Sequence, residues 1–565
     1  MALLSVILGG ALVFILGVLL HSAYGLSHNY LVARRIGVPI RIILFDHVNP
    51  LWLVSDRFIL SFVRRLPSWL GNNSFTRYNY RGWEVPDRYH SHHEMGDVYI
   101  QVSSRNIWLY IANHDAVVDI WRRGKEFPRD VSVTAILDVF GPNISTAQGI
   151  QWQKHRRITA SSFNDHNNTI VWSESITVAR DMLRYWRSKS SIATAADDLR
   201  TLSLHVMSRA GFGKSFKFQG HDERTTAATT EPSLDYKESL KMILENCVLI
   251  FALGTKFLSN PWLPRKLRRL HNACASFQAY MTEVYEEEKR SLAAGKSADR
   301  NFMTSLVRSS QVENMESSLG GLTESEIYGN MFTFNFAGHD TTAHTFTFAL
   351  YFLAANPATQ DWVAEEVLHV LGGRRPEECS YEDFPRLKRC LAVMYETLRL
   401  YTPVPTSKFV DSESPLSLKV GDKTLVLPPK ALLVPSYASL QTDPKYWGAN
   451  SLEWVPSRFI KTGDQAGTGG SLFDKEEFVT PDRGIFLAWS GGARDCVGRK
   501  FSQVEFVAVM ISLFADGRVN PVLADGETPD AARKRILAQI EEDSAPVLLL
   551  QMLHPERSPL VWSRQ

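Results

Sequence analysis

The chain is poor in cysteine, and the few that it has are widely spaced. Five occur in 565 residues: Cys247, Cys274, Cys379, Cys390 and Cys496. Their number is odd and no two have the spacing of a zinc knuckle, which argues against both a disulfide framework and a zinc finger. Four of them are most simply small buried hydrophobes, and a reducing compartment fits this usage best.

An excess of charge of either sign is also missing. Lys and Arg number 62 against 60 Asp and Glu, so the formal charge is only +2, whereas a nucleic-acid-binding protein usually has a concentrated basic face. Hydrophobic residues at 44% and charged residues at 22% lie near globular averages, so disorder is not expected. No repeat and no convincing linker occurs, which predicts one mainly helical domain with a small strand component.

Charge is absent altogether from the first part of the chain. The run from Ala2 to Leu20 reads ALLSVILGGALVFILGVLL and could cross an apolar layer about 30 Å thick. Basic residues first appear at Arg34 and Arg35, after the run, and the positive-inside rule then places the body in the cytosol. A cleaved signal peptide is the alternative, but no basic residue precedes the run and the run is long for a signal core. We expect an anchor over residues 1–30 and a folded domain over 31–565.

Periodicity and turn residues predict several elements. Residues 97–111 read DVYIQVSSRNIWLYI, two short strands split by a polar turn at Ser103–Asn106. Asp197–Ala210 predicts a helix that begins with acids and ends at Gly211. Thr323 and Glu326 form a potential capping box for a long helix that continues to about Ala355. Two further helices are expected at Leu234–Leu253 and Pro264–Ala294.

Other stretches lack a regular pattern. Ile36–Leu66 is rich in apolar residues with basic breaks, and it predicts either an amphipathic segment on a membrane surface or packed helices, with both open. Exposed loops are expected at Gly213–Ser233, Gly295–Gly321 and Lys461–Arg483. Three Asn-x-Ser/Thr sequences in a cytosolic body would carry no glycan: they begin at Asn72, Asn143 and Asn167.

The strongest chemical signal is the loop Trp489–Gly498, which reads WSGGARDCVG before an apolar, helix-like run. A cysteine just ahead of a helix N-terminus gains from unsatisfied backbone N–H groups and the helix dipole, which lower the thiol pKa and stabilise a thiolate suited to iron. Gly492 and Gly498 would let the backbone approach a flat macrocycle, and Arg494 could pair with a carboxylate. The alternative is an ordinary turn with a buried cysteine.

The long helix carries a second signal, Ala337-Gly338-His339-Asp340-Thr341-Thr342. Glycine inside a helix costs about 1 kcal/mol relative to alanine, so Gly338 needs a reason, such as a contact with a flat ligand or a local opening that admits water. Asp340 and Thr341 are an acid and a hydroxyl suited to relaying protons. The alternative is a solvated surface, but the phenylalanines around this motif favour a buried site.

Three weaker signals involve charged and hydrogen-bonding groups. Glu396 and Arg399 lie three apart on one helical face, where they can pair. Arg458, in a loop that begins with Pro456, could join them in a buried ion network. Trp152 and Arg156 lie one helical turn apart, and both are donors suited to carboxylates. Taken singly, each of these patterns is common on protein surfaces.

Together and in this order, these motifs resemble the cytochrome P450 family from about Gly96 to the C-terminal region. The resemblance implies a mainly α fold, the P450 fold of a helix-rich single domain with a small β-rich portion, after an N-terminal transmembrane helix. It also implies haem b (iron protoporphyrin IX), with Cys496 as the ligand of the iron. Trp489 replaces the usual phenylalanine beside the sulfur, and Ser457 stands where an acid is common.

The resemblance extends to the remaining site residues. It implies that Asp340 and Thr341 are the oxygen-activating pair and that Glu396, Arg399 and Arg458 are a structural triad. Residues expected to contact the cofactor are Trp152, Arg156, Gly338, Lys408, Trp489 and Arg494.

The implied activity is a haem-thiolate monooxygenase that hydroxylates or otherwise oxidises a lipophilic small molecule. It would use dioxygen and electrons from NADPH-cytochrome P450 reductase, with cytochrome b5 as an alternative donor, because no Gly-x-Gly-x-x-Gly dinucleotide site follows a strand. Lys154, Arg157, Arg499 and Lys500, if exposed, would offer a basic patch to an acidic partner; otherwise they are ordinary solvated charges. The chain is similar to fungal microsomal members that tailor terpenoids, polyketides or other secondary metabolites, which implies the endoplasmic reticulum membrane.

Two other functions compete with this interpretation. A haem isomerase or dehydratase would tend to lack the acid–hydroxyl pair, so Asp340 and Thr341 argue against it. A non-enzymatic haem protein would need a signalling module, and none is visible. Phe332, Phe336 and the segment after Pro403 are expected to line an apolar pocket.

Overall fold

In the computed structural model, residues 2–63, 65–67, 73–132, 134–222, 236–295, 301–311, 320–463 and 471–564 are described. Helices account for most of them. In chain order they are α1 (Ala2–Arg34), α2 (Pro50–Val63), α3 (Ser74–Tyr78), α4 (Glu84–Asp87), α5 (His90–Met95), α6 (His114–Arg122), α7 (Gly149–Ala160), α8 (Asp165–Arg187), α9 (Ala195–Phe212), α10 (Tyr236–Glu245), α11 (Cys247–Leu253), α12 (Thr255–Leu258), α13 (Arg265–Ala293), α14 (Phe302–Gln311), α15 (Glu324–Ala355), α16 (Pro357–Leu371), α17 (Lys388–Leu400), α18 (Tyr437–Leu440), α19 (Pro444–Trp447), α20 (Leu472–Lys475), α21 (Arg499–Phe514) and α22 (Pro529–Glu542).

The strands are short, and the largest sheet has five of them in the order β1-β2-β3-β7-β4. The strands are β1 (Ile40–Ile42), β2 (Val98–Val102), β3 (Ile107–Ile111), β4 (Lys408–Phe409), β5 (Leu416–Val420), β6 (Lys423–Leu427), β7 (Leu432–Pro435), β8 (Ile460–Thr462), β9 (Glu476–Phe478), β10 (Gly517–Pro521), β11 (Ser544–Pro546), β12 (Leu550–Met552) and β13 (Leu560–Arg564). Two compact units hold these elements. Unit 1 comprises Met1–Val133, Pro405–Ser451 and Asp482–Asp495, and unit 2 comprises Thr134–Val404, Leu452–Pro481 and Cys496–Gln565.

Unit 1 is built on the five-stranded sheet. The predicted pair of strands is confirmed: β2 and β3 pair antiparallel, with Val98 opposite Ile111. Ile100 and Leu109 face one apolar cluster, whereas the stacked rings of Tyr99 and Tyr110 face another. Burial on both faces explains why this stretch is nearly continuous in Val, Ile and aromatic residues rather than alternating with polar ones.

The N-terminal helix α1 continues to Arg34, beyond the expected boundary at residue 30. It is long and apolar enough to cross a membrane, by length and composition. Its last turns belong to the fold of unit 1, because Ala33 and, just past the helix, Ile36 lie in the same apolar cluster as the sheet. Ile36–Leu66, which had two interpretations, contains β1 and α2.

Unit 2 is organised around α15, which is buried along nearly its whole length. Burial on all sides explains why its sequence is apolar around the entire helix rather than along one stripe. The capping box predicted for its start is confirmed: the Thr323 side chain accepts from the Glu326 N–H at 3.3 Å, and the Glu326 carboxylate accepts from the Thr323 N–H at 2.8 Å.

The predicted end of α9 at Gly211 is wrong by two residues. The helix continues through Gly211 to Phe212 and is capped by Gly213, which adopts a left-handed conformation with φ of 73°. A helix commonly ends at a glycine in this conformation because the absence of a Cβ removes the steric penalty. By residue type, the helix could end at Gly211 or at Gly213, and only the backbone conformation distinguishes the two.

The expected loops are more ordered than their composition indicated. Gly295–Gly321 contains the helix α14, and Lys461–Arg483 contains α20, β9 and the last two residues of β8. In Gly213–Ser233, Phe218 is buried and packs near the Tyr185 ring. The parts of these three stretches at 223–233, 296–300, 312–319 and 464–470, as well as Asn72, lie outside the described residues.

Candidate functional site

Cys496 differs from the other cysteines in exposure and position. Cys247, Cys274, Cys379 and Cys390 are buried, whereas Cys496 is exposed. Burial raises the pKa of Cys247 to about 12 and that of Cys274 to about 11, so both remain thiols. Cys496 lies two residues before Gly498, the N-cap of α21, where backbone N–H groups and the helix dipole favour a thiolate.

Two glycines of the cysteine loop pack against Trp121 in unit 1. Gly492 has φ of 72°, and a Cβ there would lie 2.8 Å from the Trp121 carbonyl oxygen, while a Cβ on Gly491 would lie 2.4 Å from its ring. A Cβ on Gly498 would make only ordinary contacts, at 3.7 Å from the Phe163 ring. The absence of a side chain is therefore required at Gly491 and Gly492 by the protein's own packing, which the sequence interpretation had not foreseen.

Three cations of unit 1 influence one another: Arg129, Lys408 and Arg494. Lys408 and Arg129 pair across an isolated β-bridge. Burial, followed by repulsion from Arg129 and Arg494, lowers the pKa of Lys408 to about 8. Burial and Arg129 together lower the pKa of Arg494 to about 10. Grouped, partly desolvated cations of this kind are suited to an anionic ligand.

Arg129 was not identified from the sequence. It follows Pro128 in a stretch without a recognisable motif. It is also about 280 residues from Lys408 along the chain, and only folding brings such distant residues together.

Trp489, the aromatic residue at the start of the cysteine loop, is buried with its ring 5.8 Å from that of Phe486.

The helix α7 carries Trp152 and Arg156, both partly buried, one turn apart. Between them, Lys154 is buried and its ammonium lies 2.7 Å from the Glu326 carboxylate of α15. The Nδ1 of the neighbouring His155 accepts a hydrogen bond from the Asn330 side-chain amide at 2.8 Å. Because Lys154 is buried, the prediction that it belongs to an exposed basic patch is wrong.

Gly338 packs against a protein side chain. A Cβ there would lie 2.6 Å from the sulfur of Met207 on α9, so the glycine leaves room for this side chain. The helix is continuous at this point, and the Thr341 hydroxyl donates to the Ala337 carbonyl at 2.8 Å. The expected local opening of the helix at Gly338 is therefore not seen.

Asp340 is buried in an ionic cluster. The Arg200 guanidinium lies 2.8 Å from its carboxylate, and the His344 ring nitrogen lies 3.5 Å from it. Although burial opposes ionisation, His344 and Arg200 hold the pKa of Asp340 well below its usual range. Arg200 also donates to the Gln551 side chain at 3.1 Å.

A cavity within unit 2 reaches this cluster. Its lining is largely apolar, through residues that include Leu204, Leu244 and Leu549, and it also contains the charged side chains of Asp197, Arg200, Lys237, Lys241 and Asp340. Asp340 thus lines this cavity, while the Thr341 hydroxyl is directed to the backbone of its own helix. Phe332, expected to line an apolar pocket, has no exposed surface and packs against Phe140 and Phe277, so it is a core residue.

Glu396, Arg399 and Arg458 are brought together. The Glu396 carboxylate lies 2.7 Å from Arg399 and 2.9 Å from Arg458, and it also accepts from the Val455 N–H at 2.8 Å. Glu396 and Arg399 have no exposed side-chain surface. Arg399 donates to the Glu453 carbonyl at 3.0 Å. These bonds join α17 to the loop before β8, and each buried charge has a partner.

Known proteins match this chain over most of its length. A family model described as Cytochrome P450 matches residues 69–541. The chain is 30% identical to cytochrome P450 monooxygenase 124 of Postia placenta, over 82% of this chain and 85% of the relative. It is 25% identical to a cytochrome P450 monooxygenase of Arthrobotrys oligospora over 95% of both. It is 28% identical to the phomenoic acid biosynthesis cluster cytochrome P450 monooxygenase of Leptosphaeria maculans, over 90% of this chain and 91% of the relative.

Proposed function

This chain belongs to the cytochrome P450 family and is a monooxygenase, and from that premise we propose that it oxidises a lipophilic small molecule at a haem b whose iron is bound by Cys496. One observation carries the assignment of the ligand: Cys496 alone of the five cysteines is exposed, and it lies just ahead of α21. A thiolate in that position is stabilised by the helix N-terminus. The other four cysteines are buried.

The residues present fit a haem. Its two propionates are carboxylates, and the mutual repulsion of Arg129, Lys408 and Arg494, visible in the lowered pKa of Lys408 and of Arg494, would be relieved by such anions. Trp152 and Arg156 are proposed as further donors, Trp489 as the aromatic residue beside the sulfur, and Gly338 as the contact on α15. When bound, a thiolate-ligated haem supplies dioxygen activation, because the thiolate pushes electron density toward the iron and favours O–O cleavage.

Asp340 and Thr341 are proposed to handle protons. The Asp340 carboxylate, ionised beside Arg200, lies among the charged residues that line part of the cavity, from which it can receive a proton once the contact with Arg200 loosens. The Thr341 Oγ can accept that proton on one side and give up its own on the other. Glu396, Arg399 and Arg458 hold α17 and the loop before β8 in one arrangement.

The family and the relatives support a proposal for the substrate class and the partners. A relative named for a biosynthesis cluster in Leptosphaeria maculans supports a secondary metabolite, such as a terpenoid or polyketide, as the substrate. We assign electron supply to NADPH-cytochrome P450 reductase, with cytochrome b5 as an alternative donor. The apolar helix α1 supports single-pass anchoring in the endoplasmic reticulum membrane, with the catalytic domain in the cytosol.

The deciding experiment is the absorption spectrum of the reduced, carbon-monoxide-bound protein. The natural protein is expected to show the red-shifted Soret band of a thiolate-ligated haem, and Cys496→Ala to lose it together with substrate oxidation. Cys274→Ala, which alters a buried cysteine, serves as the matched control and should keep the band. An unchanged spectrum in Cys496→Ala would refute the assignment. A binding-spectrum screen against lipophilic metabolites, followed by dioxygen-dependent turnover with reductase and NADPH, tests the substrate class.

A further inference from the structure

The cavity beside Asp340 has room for the hydrocarbon part of a small ligand. Its apolar lining comes from α9 through Leu204, from α10 through Leu244, and from Val547–Leu549 between β11 and β12. The empty space, including its opening to solvent, is about 620 Å³, which lies within the range of roughly 300–1,000 Å³ that small-molecule sites occupy. Apolar side chains therefore meet a ligand on three elements of unit 2.

Cations outnumber acids in the part of the lining that is not fully exposed. A third acid, Glu245, also lines the cavity but is exposed at the C-terminal end of α10. Burial lowers the pKa of His339, which keeps its ring neutral at pH 7. The cations are Arg200, Lys237 and Lys241, and the acids are Asp197 and Asp340.

The wall stabilises negative charge where it already holds it. The Lys241 ammonium lies 2.8 Å from the Asp197 carboxylate. Although burial opposes ionisation, Lys241, His221 and Arg200 lower the pKa of Asp197, just as His344 and Arg200 lower that of Asp340. A carboxylate that enters the cavity would meet the same cations, and opposite charges nearby favour its ionised form.

Arg200 has donors left for such a group. Its Nε donates to the Asp340 carboxylate at 2.8 Å, and its Nη2 reaches Gln551 at 3.1 Å and His344 at 3.2 Å. Its Nη1 makes no hydrogen bond to any residue that the structure describes, and the side chain remains 22% exposed. Because the guanidinium carries five N–H donors in a fork that matches a carboxylate, Arg200 can bind a ligand while it stays paired with Asp340.

We propose that the cavity binds the substrate, and that this substrate is a lipophilic carboxylic acid held by its head group at Arg200 and Lys241. The proposal rests on the proposed function and narrows its substrate class to molecules that carry a carboxylate. One negative charge balances the excess cation of the lining, whereas an amine would add to that excess and an alcohol would leave it. Hydrogen bonds to an ionised group are also about twice as strong as those between neutral groups. The apolar body of the acid packs against the leucines.

Calorimetric titration of the full-length holoprotein at pH 7 with three probes of equal chain length tests the proposal. The probes are decanoate, 1-decanol and decylammonium. The natural protein is expected to bind decanoate about tenfold more tightly than 1-decanol, because only the acid forms charge-assisted hydrogen bonds, and to bind decylammonium most weakly. Equal affinities for decanoate and 1-decanol would overturn recognition of a carboxylate.

Substitution of Lys241 tests the role of charge. Lys241→Met is expected to weaken decanoate binding several-fold and to leave 1-decanol binding unchanged, while Lys241→Arg keeps the charge and should keep the preference for the acid. Lys189→Met is the matched control, because Lys189 also pairs with an aspartate, Asp222, and is similarly exposed, at 34% against 37%, but does not line the cavity. Unchanged decanoate binding in Lys241→Met would overturn the proposal.

A bulky side chain in the lining tests the location. Leu548, in the turn between β11 and β12, is partly exposed, so Leu548→Trp narrows the cavity from its surface and is expected to weaken decanoate and 1-decanol alike. Leu537→Trp, on α22 and outside the lining, is the control and should change neither; Leu537 is 38% exposed. Natural affinities in Leu548→Trp would place the ligand elsewhere and overturn the proposal.

The carbon-monoxide spectrum of the same preparations separates this inference from the proposed function. A natural protein that shows the thiolate Soret band but does not distinguish decanoate from 1-decanol overturns the carboxylate site and leaves the monooxygenase assignment intact. A natural protein without that band refutes Cys496 as the haem ligand, and the substrate role of the cavity with it.

Discussion

At the scale of single residues, Arg200 determines the charge state of the acid on α15. Its Nε lies 2.8 Å from the Asp340 carboxylate, and its Nη2 reaches both Gln551 and His344. Because the folded pKa of Asp340 lies below its unfolded value of 3.8, the ion pair contributes stability that is present above that pH and is lost as the pH falls. We predict that Arg200→Gln lowers the free energy of unfolding at pH 7 by about 3 kcal/mol, since it leaves a buried carboxylate without its cation.

Thermal unfolding of the haem-loaded protein at pH 7, where Asp340 is ionised, measures this effect. Arg200→Lys retains a positive charge and should lose less stability than Arg200→Gln. Lys189→Met, which removes a lysine from a partly exposed pair with Asp222 at 3.8 Å, is the control and should change little. Equal stability of Arg200→Gln and the natural protein would contradict the prediction.

Glu505 is a second residue whose effect depends on pH. Burial in α21, which outweighs the nearby Ser203 hydroxyl, raises its pKa to about 8. Because the folded pKa exceeds the unfolded value of 4.5, Glu505 contributes stability that is present below pH 4.5 and is lost as the pH rises toward 8. We predict that Glu505→Gln reduces the loss of stability between pH 5 and pH 8 by on the order of 1–3 kcal/mol.

The measurement is the difference in Tm between pH 5 and pH 8 for the natural protein and the variant. Glu542→Gln, at an exposed position of α22, should show the same pH dependence as the natural protein. If Glu505→Gln also retains that dependence in full, then Glu505 does not titrate in this range.

At the scale of elements, a buried ion pair joins α7 to the first turn of α15. Lys154 contacts both carboxylate oxygens of Glu326, at 2.7 Å and 2.9 Å, and Glu326 also caps α15. Lys154→Met leaves this carboxylate without its cation, and we predict a loss of about 3 kcal/mol in the free energy of unfolding.

The double variant Lys154→Met with Glu326→Leu shows whether charge or packing is responsible. An apolar pair of similar volume often replaces a buried ion pair at little cost, so the double variant should recover most of the loss, apart from about 1 kcal/mol for the missing cap. Unfolding by urea measures all of these variants. A double variant that is less stable than Lys154→Met would show that the carboxylate matters for more than its pairing.

At the scale of the whole molecule, the position of the apolar run decides the topology. Arg34 ends α1 and Arg35 follows it, so the body is expected on the cytosolic side. We predict that trypsin added to intact microsomes digests the chain beyond α1, while a lumenal marker stays protected. Survival of the full chain until detergent is added would place the body in the lumen and contradict the proposed orientation.

Much of the chain was predictable because its signals are local. The β2–β3 pair, the capping box of α15, the apolar run of α1 and a cysteine ahead of α21 all depend on residues within a few positions of one another, whose spacing determines their geometry. The sequence predicted too many loops, because a polar composition does not prevent a helix such as α14 from forming. Gly211 and Gly213 show the same limit, since composition does not reveal which glycine adopts a left-handed conformation.

The sequence by itself thus determined the family, the apolar run of α1 and the positions of the main motifs. Only the tertiary structure decided which charges meet: Arg200 with Asp340, 140 residues apart, and Lys154 with Glu326, 172 residues apart. It likewise placed Met207 against Gly338 and Arg129 beside Lys408. The physical reason is that burial and long-range pairing depend on how distant segments pack, and no local pattern of residue types encodes that packing.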